Sequence, residues 1–207
     1  MARKVDHEQR KMEIARQAMH LFSKVGYDNV SLIMIAAASG ISRTVLYRYF
    51  CSKREVLDAA ILYVTGTIDR KSREILISHE AAARKIERIC HVVAEVMFEN
   101  KEFLIAVFDF VVAMVRTGAD MNASIREFTT GTRNTLKTLI RHAIRRGEIP
   151  HQLDVHRMAD ALYAEFESCA LRIVIGTEHD ARAAKVRFSD AIRAIYCSPS
   201  PSPSLGS

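Results

Sequence analysis

Arg43, Thr44, Tyr47 and Arg48 stand within six consecutive residues. An arginine offers a bidentate fork to guanine, a threonine a methyl and a hydroxyl, and a tyrosine a phenol for a phosphate oxygen. Together they could read base edges in a DNA major groove. Ser31, Ser42 and Ser52 each precede a helical pattern and can cap it. Free N–H groups at the helix starts after Ser31 and Ser52 can hold phosphates, and Lys53 adds a positive charge at one of them. Any one of these side chains serves equally well on a solvated surface, so the reading depends on how they are positioned.

Three elements must do the positioning. A first helix is expected from about Glu8 to Val25, with Ile14, Ala18, Phe22 and Val25 at helical spacing and Gly26 as its stop. A second spans Leu32–Ser39 and a third runs from Arg43 to about Tyr49, with Gly40 between them. Two helices crossing steeply need a turn residue with positive φ, which glycine adopts without steric cost. Ile35, Ala36, Ile41, Leu46 and Phe50 supply the apolar face that locks this pair onto the first helix. Ser52-Lys53-Arg54-Glu55 has capping-box spacing and should open a long fourth helix running toward Ile77.

The pattern Phe22, Gly26-Tyr27, Ile35-Ala36-x-x-x-Gly40-Ile41-Ser42, Leu46-Tyr47-x-x-Phe50-x-Ser52-Lys53-x-x-x-Leu57 resembles the DNA-binding domain of the TetR family. The resemblance covers roughly residues 10–60. It implies that Arg43, Thr44 and Val45 sit over base edges and that Tyr47 and Tyr49 reach the phosphate backbone. Lys53 would anchor the start of the fourth helix, and Phe50 would be core. Thr44 and Val45 depart from the residues usual there, so base preference does not transfer. Met34 stands where an acidic residue often caps the second helix.

The remainder reads as helices at about 80–99, 102–117, 121–146, 154–176 and 179–196, with Gly118, Gly147-Glu148-Ile149-Pro150 and Gly176 as breaks. No strand-like alternation is present, so the fold class is all-α, with about nine helices in all; the resemblance implies a three-helix DNA-binding domain plus a helical ligand-binding and dimerisation domain. The expected domains are 1–55 and 56–197, with a disordered tail at 198–207. The sixth helix is apolar almost all round and should be buried on several sides. The resemblance implies a ligand cavity among helices 5 to 8. Met97, Phe98, Phe110, Met114, Phe128, Tyr163 and Phe166 are candidate walls, and His91, Asp109 and Thr132 are candidate polar contacts. Ordinary bundle core accounts for the wall residues equally well. The last two helices carry apolar residues on more than one face. The resemblance implies a homodimer through them, with Phe166, Ala170, Ile173, Ala184, Phe188 and Ile192 as interface candidates.

Composition narrows the alternatives. Residues 1–58 hold ten Lys or Arg against six Asp or Glu, a net +4 of the chain's +6, which suits a polyanion partner. Cys51, Cys90, Cys169 and Cys197 are widely spaced and read as free thiols of a reducing compartment. Cys51 beside Lys53 and Arg54 raises redox sensing, with an inert thiol as the plainer reading. No P-loop, dinucleotide fingerprint, nucleophile elbow or zinc-protease motif occurs. No catalytic residue, metal site or cofactor is therefore expected. A helical module that lost DNA binding is the other alternative, against which Gly40, Tyr47 and Lys53 argue. No signal peptide or membrane span is evident, which places the protein in the cytoplasm without a membrane partner. The expected partners are double-stranded operator DNA, a small-molecule effector and a second copy of the chain.

Overall fold

Helical periodicity and glycine stops translate into nine α-helices among residues 2–116 and 123–197, which a computed structural model describes. They are α1 (Ala2–Asn29), α2 (Leu32–Ala38), α3 (Arg43–Leu46), α4 (Lys53–Ile77), α5 (Ala82–Glu99), α6 (Lys101–Arg116), α7 (Ala123–Arg145), α8 (Val155–Val174) and α9 (Ala181–Cys197). The break expected at Gly118 and the tail at 198–207 lie outside the described residues. So does the side chain of Cys197; Cys51, Cys90 and Cys169 are free. Among the described residues, no helix is long and apolar enough to cross a membrane.

The chain forms two compact units, Met1–Asp69 with Glu99–Phe128, and Arg70–Phe98 with Thr129–Ser207. In the first, α1 is longer than its apolar periodicity suggested. It begins at Ala2 and runs past a non-helical Gly26, whose φ of 76° breaks it. Ile14, Ala15, Ala18 and Phe22 form its buried face, against Ile35, Ala36, Leu46, Phe50, Val56 and Leu57. Tyr27 bridges two rings, with centroids 5.6 Å from Phe22 and 4.7 Å from Phe110. Helix α6 corrects an expectation. One face, Phe103, Ala106 and Phe110, is buried toward α1, while Ile105, Val112 and Val115 stay exposed. An apolar composition on all sides is not burial on all sides.

In the second unit, the Asp154 carboxylate caps α8, accepting the N–H groups of His156 at 2.7 Å and Arg157 at 3.1 Å. Those bonds, that of Arg157 foremost, hold its pKa below the usual aspartate value. Helices α8 and α9 pack together, and the Phe166 and Phe188 rings lie 5.2 Å apart. Their corner is fixed by Glu178, whose buried carboxylate accepts from Arg187 Nε at 2.9 Å and Arg172 Nε at 3.3 Å. We expect Glu178→Gln to lower stability by about 1.5 kcal/mol, the scale of a hydrogen bond to a charged group, because both arginines keep some access to water. Urea midpoints measure this, and an unchanged midpoint would show that the corner holds without the charge.

Candidate nucleic-acid interface

The turn between α2 and α3 is built locally. Ser31 Oγ accepts the Met34 N–H at 3.3 Å, so the α2 cap forms without an acidic residue at that position. At the other end the Gly40 N–H reaches Ala37 O, and the Ile41 N–H reaches back five residues to Ala36 O at 3.0 Å. This is the Schellman pattern, and it requires the left-handed backbone that Gly40 adopts at φ 64°. A Cβ there would meet nothing within 4 Å, so the demand for glycine is conformational rather than steric. Ser42 then caps α3 by accepting the Val45 N–H at 3.2 Å.

Helix α3 ends at Leu46, before the expected Tyr49. Tighter turns follow, in which the Arg48 N–H bonds Val45 O and the Tyr49 N–H bonds Leu46 O. Leu46 and Phe50 are fully buried and pin the segment from below. Ser42, Arg43, Thr44, Tyr47 and Arg48 are exposed, as is Ser31, and Val45 is half-buried. Arg43 Nη2 donates to Tyr47 Oη at 3.0 Å, with the guanidinium over the phenol ring at 5.4 Å. The fork is thereby laid along the outer face of the segment, and its remaining N–H groups make no hydrogen bond among the described residues.

Two other candidates are engaged differently from the expectation. Lys53 Nζ donates to the carbonyls of Tyr27 at 2.8 Å and Asp28 at 3.2 Å, and lies 4.3 Å from the Tyr27 ring centroid. It ties the start of α4 to the end of α1, which leaves at most one of its three donors for a phosphate. Tyr49 is half-buried and stacks on His7, centroids 4.7 Å apart. The capping box at Ser52 forms with a shift. Ser52 Oγ accepts the Glu55 N–H, but Glu55 Oε2 accepts the N–H of Cys51 rather than that of Ser52.

The effector candidates divide between the units. Phe110 and Met114 belong to the first, where they join the core around α1. His91, Met97, Thr132, Tyr163 and Phe166 belong to the second. Phe128 lies in α7, but its side chain is outside the described residues. Asp109 is exposed, so the counter-ion suggested for a cationic ligand points to solvent. Tyr163 is buried, its hydroxyl 2.8 Å from Thr129 Oγ1 and its ring 4.4 Å from the Arg133 guanidinium. Burial pushes its phenol pKa up. Thr129 and Arg133 sit four apart on α7, a spacing visible in the sequence, but their partner on α8 was not.

His91 Nε2 lies 3.1 Å from Ser189 Oγ, and that hydroxyl donates to Glu87 Oε1 at 2.6 Å. With its proton committed to the carboxylate, Ser189 accepts from the imidazole. A nucleophilic serine needs the reverse polarity, in which the imidazole takes the hydroxyl proton. Burial also lowers the His91 pKa. The trio links α5 to α9.

The interface candidates Phe166, Ala170, Ile173, Ala184, Phe188 and Ile192 are all buried within the single chain, none more than 7% exposed. They lie on the inner faces of α8 and α9, covered by the chain itself. Among the described residues, the large apolar side chains that these two helices leave exposed are Leu171 and Val186, with Ile175 just past the end of α8.

Comparison with known proteins agrees with this geometry. Residues 14–60 match the family described as bacterial regulatory proteins, tetR family. The HTH-type transcriptional regulator HbdR of Aromatoleum sp. (strain CIB) is 31% identical over 86 residues. That match takes in 42% of this chain and 36% of HbdR, so only about a third of the relative's length is spanned. Over nearly the whole chain the fold is similar to a TetR transcription regulator from Haloarcula marismortui ATCC 43049, at TM-score 0.76 and 16% identity, covering 90% of this chain and 98% of that one. It is also similar to FadR from Bacillus subtilis, solved in complex with stearoyl-CoA, at TM-score 0.70 and 18% identity, covering 90% and 97%. At these identities the likeness is one of fold.

Proposed function

For this chain, which belongs to the TetR family of DNA-binding transcriptional regulators, we propose action as a cytoplasmic repressor that binds a pseudo-palindromic operator as a dimer and is released by a small apolar or amphipathic ligand. The observation that carries the reading is the exposed row Arg43, Thr44, Tyr47 and Arg48, held over the buried Leu46 and Phe50 by the Gly40 turn. The functional division lies near residue 55. Residues 1–55 contact DNA, and residues 56–197 bind the effector and pair the copies. Ser31, Ser42, Arg43, Thr44, Val45, Tyr47, Arg48, Tyr49 and Lys53 are the DNA-side residues. Leu171, Ile175 and Val186 replace the inner-face residues as the apolar contacts of the dimer, because they are the large apolar residues that α8, its C-terminal end and α9 leave exposed among the described residues.

Electrophoretic retardation of promoter duplexes tests the DNA half. Affinity should fall linearly on a log–log plot as salt rises, since each phosphate contact releases counter-ions. Absence of salt-dependent retardation would overturn it.

The effector half rests on the edge-to-face rings of Tyr163 and Phe166 in the second unit, and on α4, which starts at the DNA-side segment and whose residues are shared between the two units. A ligand that shifts α4 changes the spacing of the two reading segments. A long-chain acyl-CoA is the first probe, given the stearoyl-CoA bound to the FadR relative in fold. Coupling of about 1–3 kcal/mol would lower DNA affinity by roughly 5- to 150-fold, and DNA must lower ligand affinity by the same factor. An acyl-CoA that binds free and DNA-bound protein equally would exclude it as the effector.

A further inference from the structure

Arg43 and Tyr47 are joined twice. The Tyr47 N–H donates to Arg43 O at 3.1 Å, and Arg43 Nη2 donates back to Tyr47 Oη at 3.0 Å. The first bond forms because Tyr47, just past the end of α3, keeps a helical backbone at φ −62° and ψ −14°. That backbone sets the two side chains four positions apart on one helical face, where they can meet. Between them Leu46 is fully buried, so the backbone that carries the phenol is anchored in the core while Tyr47 itself stays 42% exposed.

The direction of the side-chain bond matters. A guanidinium only donates, so the phenol oxygen is the acceptor and its own proton stays available for a second partner. Arg43 commits one of its five donors there, which leaves enough for a bidentate contact with guanine. The tether is a neutral group, so it orients the guanidinium without cancelling its charge. An arginine on a flexible stem must otherwise be ordered when DNA arrives, and ordering it beforehand removes that cost from binding. The phenol ring, 5.4 Å from the guanidinium that lies over it, restrains the same pose.

We propose that Tyr47 is a positioning residue for base reading: its phenol oxygen holds the Arg43 guanidinium toward a guanine edge while its O–H proton goes to a backbone phosphate. The proposal rests on the DNA-binding reading of the chain and adds a coupling to it. A phosphate that takes the proton fixes the phenol, and through it the fork, so the backbone contact and the base contact strengthen one another.

The test uses the full chain, duplexes that it enriches from a random-sequence pool, and the single-base variants of those duplexes. Base preference is the ratio of dissociation constants between an enriched duplex and its variant at the position where Arg43→Ala loses selectivity. Arg43→Ala should lower that ratio by roughly 5- to 150-fold, the worth of one bidentate pair. Tyr47→Phe keeps the ring and removes only the oxygen. It should lower the same ratio several-fold, besides weakening binding to every duplex. In the Arg43→Ala background it should weaken all duplexes alike and leave the ratio where it is. Both side chains are exposed, so urea midpoints should stay at the wild-type value. A Tyr47→Phe variant that loses affinity uniformly with the ratio intact, or that lowers the ratio equally with and without Arg43, would overturn this inference alone. A wild type that enriches no sequence would overturn the operator-binding reading and this inference with it.

Discussion

Phe22→Ala should remove about 3–5 kcal/mol of stability, the usual cost of deleting a large buried ring, and DNA binding should weaken with it. Phe22 is fully buried, lies on the inner face of α1 and touches the Tyr27 ring. The core it joins contains the residues that set α2 and α3, Ile35, Ala36, Leu46 and Phe50. A cavity there loosens the platform on which the exposed row stands, while no DNA-facing side chain is altered. Urea unfolding should show a lower midpoint with an unchanged slope, the mark of a stability change rather than a changed unfolded state. A loss under about 1.5 kcal/mol would mean that the site collapses readily and that the α1 core is not what holds the reading segment.

Arg43→Ala should cost about 1–3 kcal/mol on a cognate site and relax preference at one base position, with little effect on mixed-sequence DNA. The guanidinium is exposed and, among the described residues, tethered to Tyr47 alone, which is itself exposed, so its removal leaves no buried partner unsatisfied and stability should hardly move. Lys53→Ala is the contrasting case. As a phosphate contact it should weaken all sequences alike and lower the salt slope by about 1. It should also cost stability, because its ammonium caps the carbonyls of Tyr27 and Asp28. Equal, sequence-independent losses from both variants would contradict this division of roles.

The DNA-side architecture was legible because its signals are local. Ser31 and Ser42 cap the helices that they precede, and Gly40 takes the positive φ that the turn demands. Contacts between distant residues were not legible. Nothing in the spacing shows that Lys53 meets carbonyls 25 and 26 residues earlier, or that Tyr163 meets Thr129 and Arg133. Periodicity identifies an apolar face but not what covers it. On α8 and α9 it singled out Phe166, Ile173 and Phe188, which the chain covers itself, and passed over Leu171, which it does not. For the same reason α6, apolar almost all round, buries Phe110 against α1 and leaves Val112 and Val115 exposed.

Enrichment of bound duplexes from a random-sequence pool tests the central claim most directly, because it asks for both a reading surface and a two-fold arrangement. The expected product is an inverted repeat whose half-site centres lie about 10–10.5 base pairs apart, or a multiple of that, since two reading segments must enter the major groove on matching faces. Arg43→Ala should lose selectivity at one symmetric pair of positions within that repeat. A pool that remains random after repeated rounds, or that yields a single unrepeated half-site, would contradict dimeric operator recognition through the α2–α3 segment.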